Sequence, residues 1–197
     1  MDCLWSASKL SFSFVHHYLY LVVMVQGTEG NLIPCEDLLR TCQQFKQSCE
    51  AMKGLKYLSH QVNEALRCLD PHFYNLLSQL KHKISKFGFS EALAAIDYLL
   101  LNGREILFNK ESEEHVDQND PQYGWAVLVA LGEFEGGDFM ASQLGIKARF
   151  LPGDMILVRG RVVKHKIGPF MGQRISLPHF THSNIWKAFD MLDLVSI

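Results

Sequence analysis

The sequence predicts an α+β chain in which helices of the first half pack on a β-rich core in the second. Three observations carry that reading. Apolar residues recur at helical spacing up to about residue 103, then change to short apolar runs from Arg104 onward. Those runs are separated by Gly, Pro and Asp, as at Pro152-Gly153-Asp154, a pattern typical of an all-β sandwich or barrel. Composition is 48% apolar and 20% charged over 197 residues, which suits one well-buried core and excludes collagen-like, coiled-coil and wholly disordered chains.

The stretch from Leu10 to Val25 (LSFSFVHHYLYLVVMV) is rich in aromatic and β-branched residues and reads as one or two buried strands. It is short for a membrane span. Only Lys9 precedes it as a base, so it lacks the basic start of a secretion signal. Helical spacing then predicts helices over Glu36–Lys53, Leu58–Cys68 and Pro71–Phe87, the last capped by Asp70 with Pro71 in its first turn. A fourth helix is predicted over Ser90–Leu101 (SEALAAIDYLLL), stopped by Asn102-Gly103. Strands are predicted at EILF 105–108, WAVLVAL 125–131, KARF 147–150, MILVRGRVV 155–163 and RISLPHF 174–180. The expected division is a mostly helical supporting region over 1–103, apolar and strand-like over about its first 27 residues, and a β core over 104–197, together one structural domain.

The net charge of −2 provides no global positive field to attract nucleic acid or an anionic membrane. Charge is instead segregated. Residues 105–138 hold nine acids against one lysine, a balance of −8, and residues 145–174 hold seven bases against Asp154, a balance of +6. The five cysteines form no CxxC pair, which argues against a disulfide framework or structural zinc and for a reduced, intracellular protein, nuclear or cytoplasmic. Cys35, Cys42 and Cys49 are seven apart and would share one buried helical stripe.

The acidic block contains His115-Val116-Asp117, whose side chains would converge if both residues lay on one strand. An imidazole and a carboxylate are two-thirds of the 2-His-1-carboxylate triad that holds Fe(II) on one face. By chance such a pair is expected about once in a chain with this many histidines and acids, so the pair alone is a weak signal. His165, at the end of the predicted strand MILVRGRVVKH, could supply the third ligand, because a jelly roll returns distant strands side by side. Arg174, nine residues on, could reach the far end of a metal-chelated dicarboxylate with its bidentate fork. Phe134, Phe139 and Trp125 read as core, Gly136-Gly137 as a tight turn, and His16, His17 and His179 have no partners at useful spacing.

Four stretches add a resemblance: HVDQND at 115–120, GWAVLVALGEFEGGDF at 124–139, LGIKARFLPGDMILVRGRVVKH at 144–165 and GQRISLPHFTH at 172–182. With them the region 104–186 resembles the Fe(II)/2-oxoglutarate dioxygenases, specifically the Tet/JBP-like branch abundant in fungi. The resemblance implies a double-stranded β-helix (jelly-roll) core. It implies Fe(II) held by His115, Asp117 and His165, with 2-oxoglutarate chelated to the iron and its far carboxylate on Arg174. Dioxygen would be the second co-substrate. Neutral imidazoles as ligands imply that iron is lost as pH falls through their range. Polar residues at comparable offsets in such enzymes can bond a flipped methylated base, which points to Asp120 and His182 and, more weakly, to Asn119.

The leading reading is therefore oxidation of a methyl group on a base of DNA or RNA. Lys147, Arg149, Arg159, Arg161, Lys164 and Lys166 are candidates to hold phosphates. The same chemistry on a protein or small molecule, or an inactive or truncated β-barrel used for interaction, are the alternatives.

Overall fold

The computed structural model describes residues 18–20, 23–26, 31–34, 41–86 and 95–196. Three short strands come first: β1 (Tyr18–Tyr20), β2 (Val23–Gln26) and β3 (Asn31–Pro34). Helices α1 (Cys42–Gly54), α2 (Lys56–Leu69) and α3 (Pro71–Ile84) follow. The second half is β4 (Gly103–Phe108), β5 (Ser112–His115), β6 (Ala126–Gly136), β7 (Phe139–Ala141), β8 (Ile146–Ala148), β9 (Met155–Val158), β10 (His165–Ile167) and β11 (Phe170–Phe180). A six-residue helix α4 (Ser183–Ala188) and a 3-10 turn at Leu192–Val195 follow.

The strands form two antiparallel sheets of jelly-roll type, in the orders β1-β4-β11-β6-β9 and β5-β10-β7-β8, with β2 and β3 paired separately. Alternation along β6 shows how one strand serves two cores. Val127 and Val129 join the layer shared with Val62, Leu66, Leu77 and Leu80 of the helices, while Ala126, Ala130 and Phe134 face Phe139, Ala141 and Phe150 between the sheets. β11 divides the same way: Leu177 packs toward the helices, and Arg174 lies among the aromatic rings between the sheets. The fold is thus α+β, with helices on one face of a jelly-roll core.

Helix α3 starts where its sequence signals place it: the Asp70 carboxylate accepts from the Phe73 N–H at 2.9 Å and Pro71 fills the first turn. Several other expectations need correction. Of the predicted fourth helix, residues 90–94 lie outside the described residues, 95–96 are helical, and 97–101 are irregular. Asn63 on α2 captures that backbone, donating to the Tyr98 carbonyl at 2.8 Å and accepting from the Leu100 N–H at 3.0 Å, bonds a helix would have to forgo. The predicted strand 155–163 ends at Val158, because Val162 and Val163 turn back to donate to the Arg159 carbonyl. The predicted stripe of cysteines does not hold. Cys42 and Cys49 stay within about 20° of one face of α1, but Cys42 is the first residue of the helix and is exposed while Cys49, two turns on, is buried, and Cys35 lies outside the described residues. Of the apolar stretch 10–25, β1 pairs with β4 and β2 with β3, and the remainder lies outside the described residues.

Candidate metal and anion site

Strand pairing creates the site. β5 and β10 are neighbours, and their register sets His115 directly opposite His165, with ring centroids 4.6 Å apart. His165 is almost wholly buried and stacks on Phe139 of the next strand, β7, at 5.6 Å. Each imidazole is oriented by its own backbone. The Nδ1–H of His115 donates to the Glu113 carbonyl at 2.7 Å and that of His165 to the Val163 carbonyl at 2.9 Å. A carbonyl can only accept, so the proton sits on Nδ1 and the Nε2 lone pair of each ring is left for another partner.

Asp117 joins them by a route the sequence reading did not foresee. His115 is the last residue of its strand, so the alternation argument for the HxD pair does not apply. Instead Asp117 sits in the following turn, where its N–H donates to the Gly160 carbonyl at 2.9 Å and its own carbonyl accepts from the Asp120 N–H. Its carboxylate lies 3.5 Å from His115 Nε2 and holds that imidazole above its ordinary range. One donor atom from each of His115, Asp117 and His165 falls within 4.8 Å of the others, so the described residues contain a three-residue group able to hold a metal ion. His165 also corrects an expectation: it opens β10 after a six-residue turn rather than ending the strand from Met155. That turn brings Gly160 against Asp117, where a Cβ would fall on the carboxylate.

Arg174 is 1% exposed, and none of its three guanidinium nitrogens has a hydrogen-bond partner among the described residues. Its guanidinium carbon lies 5.1 Å from the Phe134 and Phe150 ring centroids and 5.5 Å from that of Phe170. Burial without a counter-charge pushes its pKa down to about 10, which still leaves it charged at neutral pH. Cation–π contacts compensate part of that burial, but they leave a forked donor unsatisfied. Phe134 and Phe139 are core residues as expected. Phe150 and Phe170, the rest of the cage, carry no motif and are visible only once the sheets are packed.

Asp120 and His182 do come together, with His182 Nε2 4.0 Å from Asp120 Oδ1. Asp120 is buried, and desolvation, reinforced by Asp117 and Glu105, raises its pKa to about 8. Burial pushes His182 down, and its ring stacks on Phe180 at 4.7 Å. Asn119 is exposed, and its carbonyl accepts from the Ser183 N–H at 2.7 Å. The basic block is largely engaged within the chain. Lys147 pairs with Asp138 at 3.1 Å, Lys164 with Glu114 at 3.0 Å, and Arg161 donates to the Gln118 carbonyl. Arg159 lies over the rings of Tyr123 and Trp125, and Trp125, expected as plain core, is half-buried and donates to Asp70.

No family model matches the chain, and no curated protein matches it. Among solved structures, NgTET1 in complex with 5mC DNA has the same fold, with a TM-score of 0.66 at 18% identity over 86% of this chain. The match covers 62% of that neighbour's own length. A Cupin 2 conserved barrel domain protein from Salinispora arenicola matches 45% of this chain and 70% of its own at 10% identity, with a TM-score of 0.30 that is too low to support any argument. No helix among the described residues is long and apolar enough to cross a membrane.

Proposed function

We propose that the chain is an Fe(II)- and 2-oxoglutarate-dependent oxygenase of the Tet/JBP-like kind that oxidises a methyl group on a nucleic-acid base. The observation that carries the reading is the pairing of two sites in one fold: a His-Asp-His donor set, and between the sheets a buried guanidinium with no anion. Two neutral nitrogens and one carboxylate suit Fe(II) and leave it positions for further ligands. A fully desolvated, unpaired arginine suits the far carboxylate of a metal-chelated 2-oxo diacid, which would satisfy the fork and restore charge balance. Bound there, the metal and 2-oxoglutarate supply dioxygen activation for the oxidation of a substrate C–H bond.

The chain's own part is orientation and exclusion. Glu113 and Val163 carbonyls direct the two Nε2 atoms, Gly160 leaves room for the Asp117 carboxylate, and the three phenylalanines keep water from Arg174. A buried Asp120 and a half-buried His182 form a carboxyl–imidazole pair beside Asp117, suited to reading donors and acceptors on a base edge, with Asn119 on the rim. The fold shared with a DNA-bound neighbour supports that substrate class. The self-paired lysines imply modest affinity for duplex phosphates.

The test is an anaerobic titration of metal-free protein with Fe(II) and 2-oxoglutarate, reading the weak visible band of the chelate. We expect a band that is lost in His165→Ala. A well-folded protein with no band would overturn the proposal and leave an interaction barrel. If the band appears, methylated oligonucleotides are compared with methylated peptides as substrates, and turnover confined to peptides would remove the nucleic-acid assignment.

A further inference from the structure

The Arg174 guanidinium has no polar tether among the described residues, where something other than a hydrogen bond must aim it. Stacking over phenyl rings constrains direction weakly, because a cation slides across a π-face at little cost. The constraint must therefore come from the Arg174 backbone, and two neighbouring strands supply it.

On the β4 side the register runs Leu107 to Ser176 and Phe108 to Ile175, which makes Asn109 the next partner, opposite Arg174. At this position an antiparallel ladder would exchange two bonds between the paired residues. The first is present: Asn109 N–H donates to the Arg174 carbonyl at 2.8 Å. The second is made differently. Asn109 adopts a left-handed conformation, φ 49°, so the chain turns out of the sheet and its own carbonyl is carried away. Its side-chain Oδ1 takes over and accepts from the Arg174 N–H at 2.8 Å. The side chain thus imitates the missing backbone acceptor. Few residue types tolerate the left-handed region and also carry an acceptor at this reach; asparagine and aspartate do.

On the β6 side Arg174 is paired with Gly132, which is also left-handed at φ 112°. A Cβ there would fall on the Gln173 carbonyl, the residue just before Arg174, so only glycine allows so close an approach. The Arg174 backbone is held between two left-handed residues, one on each flanking strand.

We infer that Asn109 is a positioning residue for the anion site: by replacing a ladder carbonyl with its side chain, it fixes the backbone that aims Arg174 between the phenylalanines. This rests on the reading of Arg174 as the anchor for the far carboxylate of 2-oxoglutarate.

The test compares Asn109→Asp, Asn109→Gly and Asn109→Ala in the full chain by two readouts. One is amide hydrogen exchange at Arg174, which needs no cofactor. The other is the affinity of Fe(II)-loaded protein for 2-oxoglutarate, with turnover at saturation. Asn109→Gly keeps the backbone conformation and removes only the acceptor, so Arg174 amide exchange should rise at least about tenfold and 2-oxoglutarate affinity fall about five- to tenfold, with kcat at saturation little changed. Asn109→Ala should show the same losses with a lower Tm. Asn109→Asp, which restores the acceptor, should keep both readouts near wild type. A protected Arg174 amide and unchanged affinity in a folded Asn109→Gly protein would overturn the inference. If the wild-type chain binds no 2-oxoglutarate, the oxygenase reading falls and the amide comparison alone decides the role of Asn109.

Discussion

Gly160 shows how much a single atom can decide in this molecule. A Cβ there would occupy the place of the Asp117 carboxylate, so Gly160→Ala should displace that carboxylate while leaving the turn's backbone bonds intact. We expect metal affinity to fall at least about tenfold, comparable to the loss of an outer-shell contact, with Tm nearly unchanged. Isothermal titration with Mn(II) or Fe(II) beside a melting curve checks both. His179 offers a second test, away from the site. It is fully buried, donates through Nδ1 to the Val127 carbonyl, and is held well below its ordinary value of 6.5 by burial and by Arg104. The folded state therefore keeps it neutral, whereas the unfolded chain takes up a proton as pH falls below about 6.5. Stability should drop with acidification by about 1.4 kcal/mol per pH unit from this group alone. Denaturant unfolding of His179→Leu from pH 7 to pH 5 should give a flatter profile than wild type, and parallel profiles would count against the assignment.

At the scale of elements, Asp70 joins the helical layer to the sheet. One carboxylate caps α3 through the Phe73 N–H, accepts from the Trp125 indole at 3.0 Å and stands 3.9 Å from Arg159. Burial alone would raise its pKa, but the two hydrogen bonds and Arg159 outweigh burial and lower it. A lowered carboxylate contributes stability at neutral pH that is lost as pH falls through its folded value. Asp70→Ala should cost about 1–2 kcal/mol in urea unfolding at pH 7, and less at acidic pH where the wild-type carboxylate is itself protonated. Asp70→Asn should recover the cap. In the sheet, the β6–β11 ribbon carries Arg174, and on the proposed reading Arg174→Ala should weaken 2-oxoglutarate binding by about 2–4 kcal/mol while leaving metal binding intact. Equal affinity in the variant would mean that another base holds the diacid.

For the molecule as a whole, the buried Arg104 joins the sheet to α2 and to the segment that follows the helices. Arg104 on β4 donates to Asp97 at 2.6 Å and to Ser59 of α2 at 2.6 Å, with both charges 4% exposed or less. Breaking such a pair strands the survivor, so Asp97→Ala should cost about 3–5 kcal/mol by denaturant unfolding. Replacing both residues with Asp97→Leu and Arg104→Met should cost far less, and equal damage from both variants would show that the loss comes from the pair itself rather than from a stranded charge. Because β4 carries Arg104 toward the helices and leads directly into Asn109 opposite Arg174, the helical layer braces the sheet that bears Arg174.

How much of this was legible in the chain differs between features with a local cause and features without one. Asp70-Pro71 signals a helix start within one turn, and the change of apolar period near residue 104 marks where sheet begins, because both effects act over a few neighbouring residues. The residue types of the site are visible as well: HxD, a distant histidine and an arginine. The convergence of the two histidines and the aspartate is not. His115 and His165 meet through the pairing of strands fifty residues apart, and Asp117 reaches them from a turn held by Gly160 rather than by strand alternation. The predicted helix through Leu101 failed at 97–101 because Asn63, more than thirty residues earlier, claims that backbone. The cage around Arg174 comes from residues on β6, β11 and the β8–β9 loop whose apolar character alone says only that they are buried. The sequence by itself determined which groups this protein has and where α3 begins, since those depend on composition and local bonding. Only the tertiary structure decided which groups meet and which arginine is left without a partner, since those depend on strand register and on where a buried side chain finds its next neighbour.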